Sequence, residues 1–264
     1  MNISDTGIDG GKAFDWGKTS QDYAKYRDIY PQEFYEKIVS LGLCTKGQRV
    51  LDIGTGTGVI PRNMYRYGAD WTGTDISENQ IQQAVRLAQS DGMNITFKVS
   101  SAEKLDFPYS SFDTATACQC FFYFDPSQIY SVLSKLLAEN GRLLIAYMSW
   151  IPSESEIARK SEELVLKYNP QWTGADYKRT PIYIHENAYQ YFSLVHSEQF
   201  DLNVRFTRES WNGRIKACRG TGASLSPSVL AEWEKEHISM LNTYAPSEFD
   251  VIHGVSLAVL ENKK

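Results

Sequence analysis

The sequence offers little to chemistry built on sulfur, metal or positive charge. It has four cysteines in 264 residues, Cys44, Cys118, Cys120 and Cys218. No zinc-type spacing is present, and Cys118 and Cys120 share one apolar run, where same-strand neighbours rarely form a disulfide. A disulfide scaffold and a structural metal site are excluded, so no metal is expected and free thiols in a reducing cytoplasm are. No apolar run approaches the roughly 20 residues that span a bilayer. The opening MNISDTGIDGGK has neither the basic nor the apolar part of a signal peptide. Lys and Arg total 27 against 32 Asp and Glu, a formal net charge of -5. That balance provides no phosphate-tracking surface, so neither a membrane nor a nucleic acid is expected as partner. Internal repeats, low-complexity tracts and a Pro/Gly linker are also missing.

Aromatic residues are plentiful: 6 Trp, 16 Tyr and 12 Phe. Seven of them lie in residues 49–113, seven in 1–35 and seventeen in 121–211. A tyrosine excess fits either a bulky core or a wet, aromatic-lined cavity. Its location favours the cavity, in the segments that would roof a site and line its substrate side.

The coarse pattern is alternating. Residues 1–12 read as a tail, followed by a helix over 15–28 and another from Pro31 with Phe34, Ile38 and Leu41 on one face. From residue 48, short apolar strands (49–53, 71–75, 94–99, 113–118, 142–146) alternate with helical segments, one capped by Ser77. Strand–helix alternation predicts a parallel, doubly wound α/β sheet. Residues 149–199 read as two or three helices, with strands at 201–207 and 251–260 after them. The predicted organisation is therefore an N-terminal tail and lid helices (1–47), a Rossmann-like core (48–148), a helical cap insertion (149–199), and C-terminal strands and helices completing the sheet (200–264).

The decisive motif is Val50-Leu51-Asp52-Ile53-Gly54-Thr55-Gly56-Thr57-Gly58. A strand ends in three alternating glycines, which allow a sharp turn and close approach of a ligand to the backbone at the strand's carboxyl end. The dinucleotide fingerprint wants a small residue where Val59 stands. Asp52, immediately before the turn, repels a pyrophosphate and suits a cation. Asp75, ending the second strand, is placed to accept from ribose hydroxyls. The spacing favours a cationic nucleoside over NAD(P), which leaves an NAD(P)-dependent oxidoreductase as the alternative.

With these motifs the sequence resembles the class I S-adenosylmethionine-dependent methyltransferases. V-L-D-I-G-T-G-T-G and T-G-T-D-I-S resemble the first two family motifs. Ser101-Ala102-Glu103 with Phe107-Pro108 resembles the segment around the adenine, and Gln119 the motif after the fourth strand. Asn140-Gly141-Arg142-Leu143 resembles the turn into the fifth. The resemblance implies a seven-stranded sheet of order 3-2-1-4-5-7-6 with strand 7 antiparallel. It implies S-adenosylmethionine as cofactor and S-adenosylhomocysteine as product. It implies that Gly54, Gly56 and Gly58 line the methionine part, with Asp52 near the ammonium. Asp75 would hold the ribose, with Ile76 against the adenine, Ser101, Ala102 and Glu103 around its ring, Gln119 at the methionine moiety, and Gln80 as a further cofactor-binding candidate. Tyr23 to Pro31 resembles the Y-x-x-x-R-x-x-Y-P segment of the small-molecule branch, implying that this helix, with Tyr23, folds over the cofactor and that Arg27 pairs with its carboxylate. A non-catalytic S-adenosylmethionine-binding module is the third reading.

Methyl transfer from a sulfonium is an in-line displacement needing alignment and exclusion of water, with a base only where the nucleophile loses a proton. Candidate catalytic residues are Tyr123, in the aromatic run after the fourth strand, and His253, in the last. Enzymes similar to trans-aconitate methyltransferase often carry His-Trp where Phe122-Tyr123 stand, so that substrate is not carried over. Phe122, Trp211, Arg214 and Arg219 are the substrate candidates. The arginines either grip an anionic acceptor or pair with the surplus carboxylates. The acceptor is expected to be a small molecule, and the protein a monomer or homodimer.

Overall fold

A computed structural model of the protein describes residues Gly7–Lys264; Met1–Thr6 and the side chain of Tyr23 lie outside the described residues. Seven strands form one mixed sheet of order β3-β2-β1-β4-β5-β7-β6 with β7 antiparallel. They are β1 (Arg49–Ile53), β2 (Asp70–Asp75), β3 (Thr96–Val99), β4 (Phe112–Cys118), β5 (Leu137–Trp150), β6 (Phe192–Thr207) and β7 (Glu248–Asn262). The helices are α1 (Ser20–Tyr26), α2 (Gln32–Ser40), α3 (Val59–Met64), α4 (Glu78–Ser90), α5 (Ile129–Leu136), α6 (Glu156–Tyr168), α7 (Arg208–Lys216) and α8 (Pro227–Tyr244). β1 to β5 pair in parallel, and the register sets Asp52 beside Gly73 on one side and Thr116 on the other.

The chain divides into two compact units. The larger comprises Gln32–Met148, Arg179–Phe200 and Val255–Lys264. Its core joins Leu51, Ile53 and Ala115 of the sheet to Ile129 and Leu133 of α5, with Phe192, Ala258 and Leu260. These are near-continuous apolar strands, as burial on both faces of a parallel sheet demands. The antiparallel β7 ends on Asn262, whose buried side-chain amide donates to the carbonyls of Ser134 (3.0 Å) and Ala138 (3.2 Å) and accepts from the Ser134 hydroxyl (2.8 Å).

The smaller unit comprises the described residues up to Pro31, Ser149–Lys178 and Asp201–Gly254. Here α1 packs on α7, α6 on α8, and α7 on α8. α7 opens with a capping box, the Thr207 hydroxyl accepting from the Ser210 amide and the Ser210 hydroxyl from the Thr207 amide. Edge-on rings fill the interior. Trp211 meets Trp150 at 5.5 Å and Phe206 at 4.9 Å between centroids, and its indole N–H donates to the Ser161 hydroxyl at 2.9 Å.

Three expectations change. Residues 149–199 are not one helical insertion: α6 is its only α-helix, and the strand expected at 201 already begins at Phe192. The early part of β6 lies at a sheet edge and mixes exposed Ser193 and Ser197 with half-buried His196 and Glu198, which hides it from an apolar-run reading. Residues 7–12 are no loose tail. Asp9 is fully buried, its carboxylate ion-paired with Arg219 (2.9 Å) and accepting from the Thr173 amide (2.7 Å). Part of the aromatic excess is core, with Trp71, Trp211, Trp233, Phe14, Phe34 and Phe192 all fully buried, whereas Tyr35 and Tyr130 are the only buried tyrosines among the described residues.

Candidate functional site

In the larger unit, the predicted cofactor residues other than Tyr23 and Arg27 lie at or beyond the carboxyl ends of β1, β2, β3 and β4. Asp52 is the second-last residue of β1, 2% exposed, and its Oδ1 accepts from the Thr116 hydroxyl at 2.6 Å. Burial pushes its carboxyl up to about 6; the Thr116 and Thr55 hydroxyls pull down, and the Asp75 charge raises it further. The glycine loop follows, with Gly54, Gly56 and Gly58 all in the left-handed region at φ 62°, 56° and 74°. The Thr55 amide donates to the Thr74 carbonyl at 2.9 Å, and Gly58 N-caps α3.

Asp75 ends β2 with both oxygens engaged. Oδ2 accepts from the Gly56 amide at 2.9 Å and Oδ1 from the Ser77 amide at 2.8 Å. Burial raises its carboxyl, while the amides of Ser77, Gly56 and Ile76 act against that. Each carboxylate oxygen has a second lone pair, so backbone engagement leaves accepting capacity. Ile76 is 38% exposed just beyond, and Gln80 is buried in the first turn of α4.

Ser101 precedes a 3-10 turn over Ala102–Lys104, in which Ala102 is buried. Glu103 Oε1 accepts from the Asp125 amide at 3.1 Å, tying this turn to the segment after β4. In that segment Gln119 is a non-glycine residue at φ 69°, a strained conformation of the kind that clusters at functional sites. Its amide N–H donates to the Ala146 carbonyl at 2.9 Å, and its side-chain amide donates to the Met148 carbonyl. Phe122 is 52% exposed, tilted against Tyr123 at 4.1 Å and edge-on to Tyr147 at 5.8 Å.

The remaining candidates belong to the smaller unit. Arg27 and Arg214 both reach the Cys218 thiol, at 3.9 and 3.1 Å, and Arg214 lies 4.9 Å over the Trp150 ring. Three expectations are corrected here. Trp211 is wholly buried among Trp150, Phe206 and Phe249, so it has no face for a substrate. Arg219 is matched by the buried Asp9 carboxylate and donates to the Thr173 hydroxyl at 3.0 Å, a structural pairing. His253 is fully buried beside Phe206 and Trp150, with Nδ1–H donating to the Val251 carbonyl at 2.9 Å. Burial first, then the charges of Arg214 and Arg27, push its imidazole down to about 3. An imidazole that acidic when protonated is a weak base at neutral pH, so the expected catalytic role is withdrawn.

Sequence reasoning missed Thr116 and Cys120. Thr116 is legible only once β4 is placed beside β1, which puts it opposite Asp52. Cys120 donates from Sγ to the Ile53 carbonyl at 3.0 Å.

A family model described as a methyltransferase domain matches residues 44–204. The chain belongs to this methyltransferase family. It is 31% identical over 130 residues to a protein of Dictyostelium discoideum that carries a methyltransferase description, covering 49% of this chain and 47% of that protein. Against a ubiquinone biosynthesis O-methyltransferase of Xanthomonas euvesicatoria it is 29% identical over 137 residues, covering 51% and 57%. The chain thus spans about half the length of the curated relatives it matches. Among solved structures, YcgJ of Bacillus subtilis superposes with a TM-score of 0.53 at 20% identity, over 89% of this chain and all of that one. A Haemonchus contortus phosphoethanolamine N-methyltransferase 2, in complex with phosphomonomethylethanolamine and S-adenosylhomocysteine, gives 0.56 at 20%, over 93% and 58%. At these identities the structural likeness concerns the fold.

Proposed function

We propose that this methyltransferase family member transfers the methyl group of S-adenosylmethionine to a small-molecule acceptor. One observation carries the reading: two carboxylates, the buried Asp52 and the half-buried Asp75, flank a left-handed glycine loop at the carboxyl ends of adjacent parallel strands. A buried carboxylate held by hydroxyls suits a positively charged ligand, whose charge lowers the cost of ionising it.

When bound, S-adenosylmethionine supplies a methyl group already activated by a cationic sulfonium. Asp52 provides negative charge for the methionine ammonium. Asp75 accepts from the ribose hydroxyls while holding the loop through Gly56. Gly54, Gly56 and Gly58 permit close backbone approach; Ile76 and Gln80 flank the adenine, and Ser101, Ala102 and Glu103 border it. Gln119 meets the methionine moiety, and Phe122 and Tyr123 offer ring faces on the acceptor side, where aromatic faces also favour a sulfonium. The acceptor is assigned to the small-molecule class on the half-exposed Phe122–Tyr123–Tyr147 rings, which fit a molecule with an apolar face.

Calorimetric titration with S-adenosylmethionine, S-adenosylhomocysteine and NADH tests the cofactor. Both sulfur nucleosides should bind at one site per chain and NADH should give no heat. Silence with S-adenosylmethionine at millimolar concentration overturns the reading. Labelled S-adenosylmethionine with a metabolite extract then tests catalysis, a methylated product distinguishing an enzyme from a binding module.

A further inference from the structure

We infer that Cys120 is a positioning residue that fixes the glycine loop from the β4 side and thereby sets cofactor affinity, an inference that rests on the cofactor reading above. On the β2 side the loop is held by the Thr74 carbonyl, which accepts from the Thr55 amide, and by Asp75, which accepts from the Gly56 amide. On the other side the last parallel pair between β1 and β4 is Asp52 with Thr116, and the strands then part. The Ile53 carbonyl lies beyond that pair. The Cys120 thiol takes the place of a ladder partner there, donating to it at 3.0 Å.

The same side chain shapes the space for Gly54. A Cβ built on Gly54 would stand 2.8 Å from both Cβ and Sγ of Cys120, closer than such atoms approach. Gly54 is therefore required twice, by its φ of 62° and by the sulfur packed against its α-carbon. Thiol and glycine form one contact: the sulfur fills the volume a side chain would take, and its proton anchors the carbonyl just before the turn. Burial pushes the thiol well up, and the carboxylates of Asp52 and Asp75 push it further, so it stays protonated and remains a donor. Cys120 touches the loop rather than the reacting atoms.

The test compares Cys120→Ala, Cys120→Ser and wild type, with far-UV circular dichroism and melting to establish that each folds. Amide hydrogen exchange over residues 52–58 is read without ligand, and S-adenosylmethionine affinity by calorimetry. Removing the donor in Cys120→Ala should speed exchange at Gly54 to Gly56 and weaken affinity about five- to tenfold, the worth of one ordinary net hydrogen bond. Cys120→Ser, which keeps a donor at similar reach, should restore both. Wild-type exchange and affinity in Cys120→Ala, or equal loss in Ala and Ser, overturns the inference. If wild type binds no S-adenosylmethionine, the function falls while the exchange data still decide the role of the thiol.

Discussion

Two pairs of titratable groups, one in each unit, answer to burial in opposite ways, and the contrast separates a working edge from a structural interior. In the larger unit the pair is the buried Asp52 and the half-buried Asp75; in the smaller, where the buried Asp9 is matched by Arg219, it is His237 and His253. Desolvation penalises the charged form in each case, raising the carboxyls (Asp52 to about 6) and lowering both imidazoles to about 3. The consequences for pH run in opposite directions. Asp52 binds its proton more tightly folded than unfolded, so its favourable contribution is full below the unfolded value near 3.8 and is lost as pH rises through about 6. The histidines hold protons less tightly folded, so stability is full above 6.5 and is lost as pH falls toward about 3, costing each about 2 kcal/mol at pH 5. At neutral pH Asp52 is mostly ionised, at a desolvation cost that a bound cation would offset, and the imidazoles are neutral.

The sharpest way to break the contrast is Asp75→Ala. It removes the ribose acceptor together with the anchor of the Gly56 amide, and should weaken S-adenosylmethionine binding about a hundredfold or more by calorimetry, without loss of far-UV signal. Next in size is His237→Ala. His237 bridges the Asn212 side-chain carbonyl (2.7 Å) and the Ser161 hydroxyl (2.9 Å) while stacked on Trp233, so truncation should cost about 2–3 kcal/mol in denaturant unfolding at pH 7. Cofactor affinity per folded molecule should be unchanged; a comparable loss of affinity would erase the division between working and structural groups.

A pH titration sharpens the other half. A cationic ligand requires ionised Asp52, so wild-type affinity should fall about tenfold between pH 7 and pH 5. Asp52→Asn should bind weakly with no such slope, and its ligand-free form should be the more stable at pH 7 because no buried charge is left to desolvate. A wild-type profile flat through pH 6 would remove Asp52 from the ligand's charge balance. Smallest is Phe122→Ala, whose ring is half exposed. It should raise the acceptor's KM a fewfold while leaving S-adenosylmethionine affinity alone, and a shift in cofactor affinity instead would move this ring to the cofactor side.

The working edge was the more legible half because its signals are local. β1, the glycines and the two acids occur within 27 residues, from Arg49 to Asp75, and backbone geometry dictates them. The strand order followed from a family resemblance carried by those same residues. The smaller unit was less legible because its pairings are distant in the chain. Arg219 finds Asp9 across 210 positions, and no local pattern announces that a guanidinium there is already matched. Trp211 looked like a substrate ring because its neighbours Phe206, Phe249 and Trp150 come from three separate strands. Cys120 carries no local signal, because a single thiol in an apolar run announces neither a metal site nor a disulfide. Its role appears when strand order brings the end of β4 against Gly54.

The place of β7 has a consequence for biosynthesis. This strand follows every other element in the chain yet lies inside the sheet, between β5 and β6, with Asn262 fastened to the backbone after α5. A ribosome releases β5 and β6 long before the strand that separates them, and at about 5–20 residues per second the wait across α7 and α8 lasts seconds. Until then the inner border of β5 is an unpaired apolar edge open to wrong partners. Chains cut short before residue 248 should therefore be found with chaperones or in aggregates rather than as partly active protein.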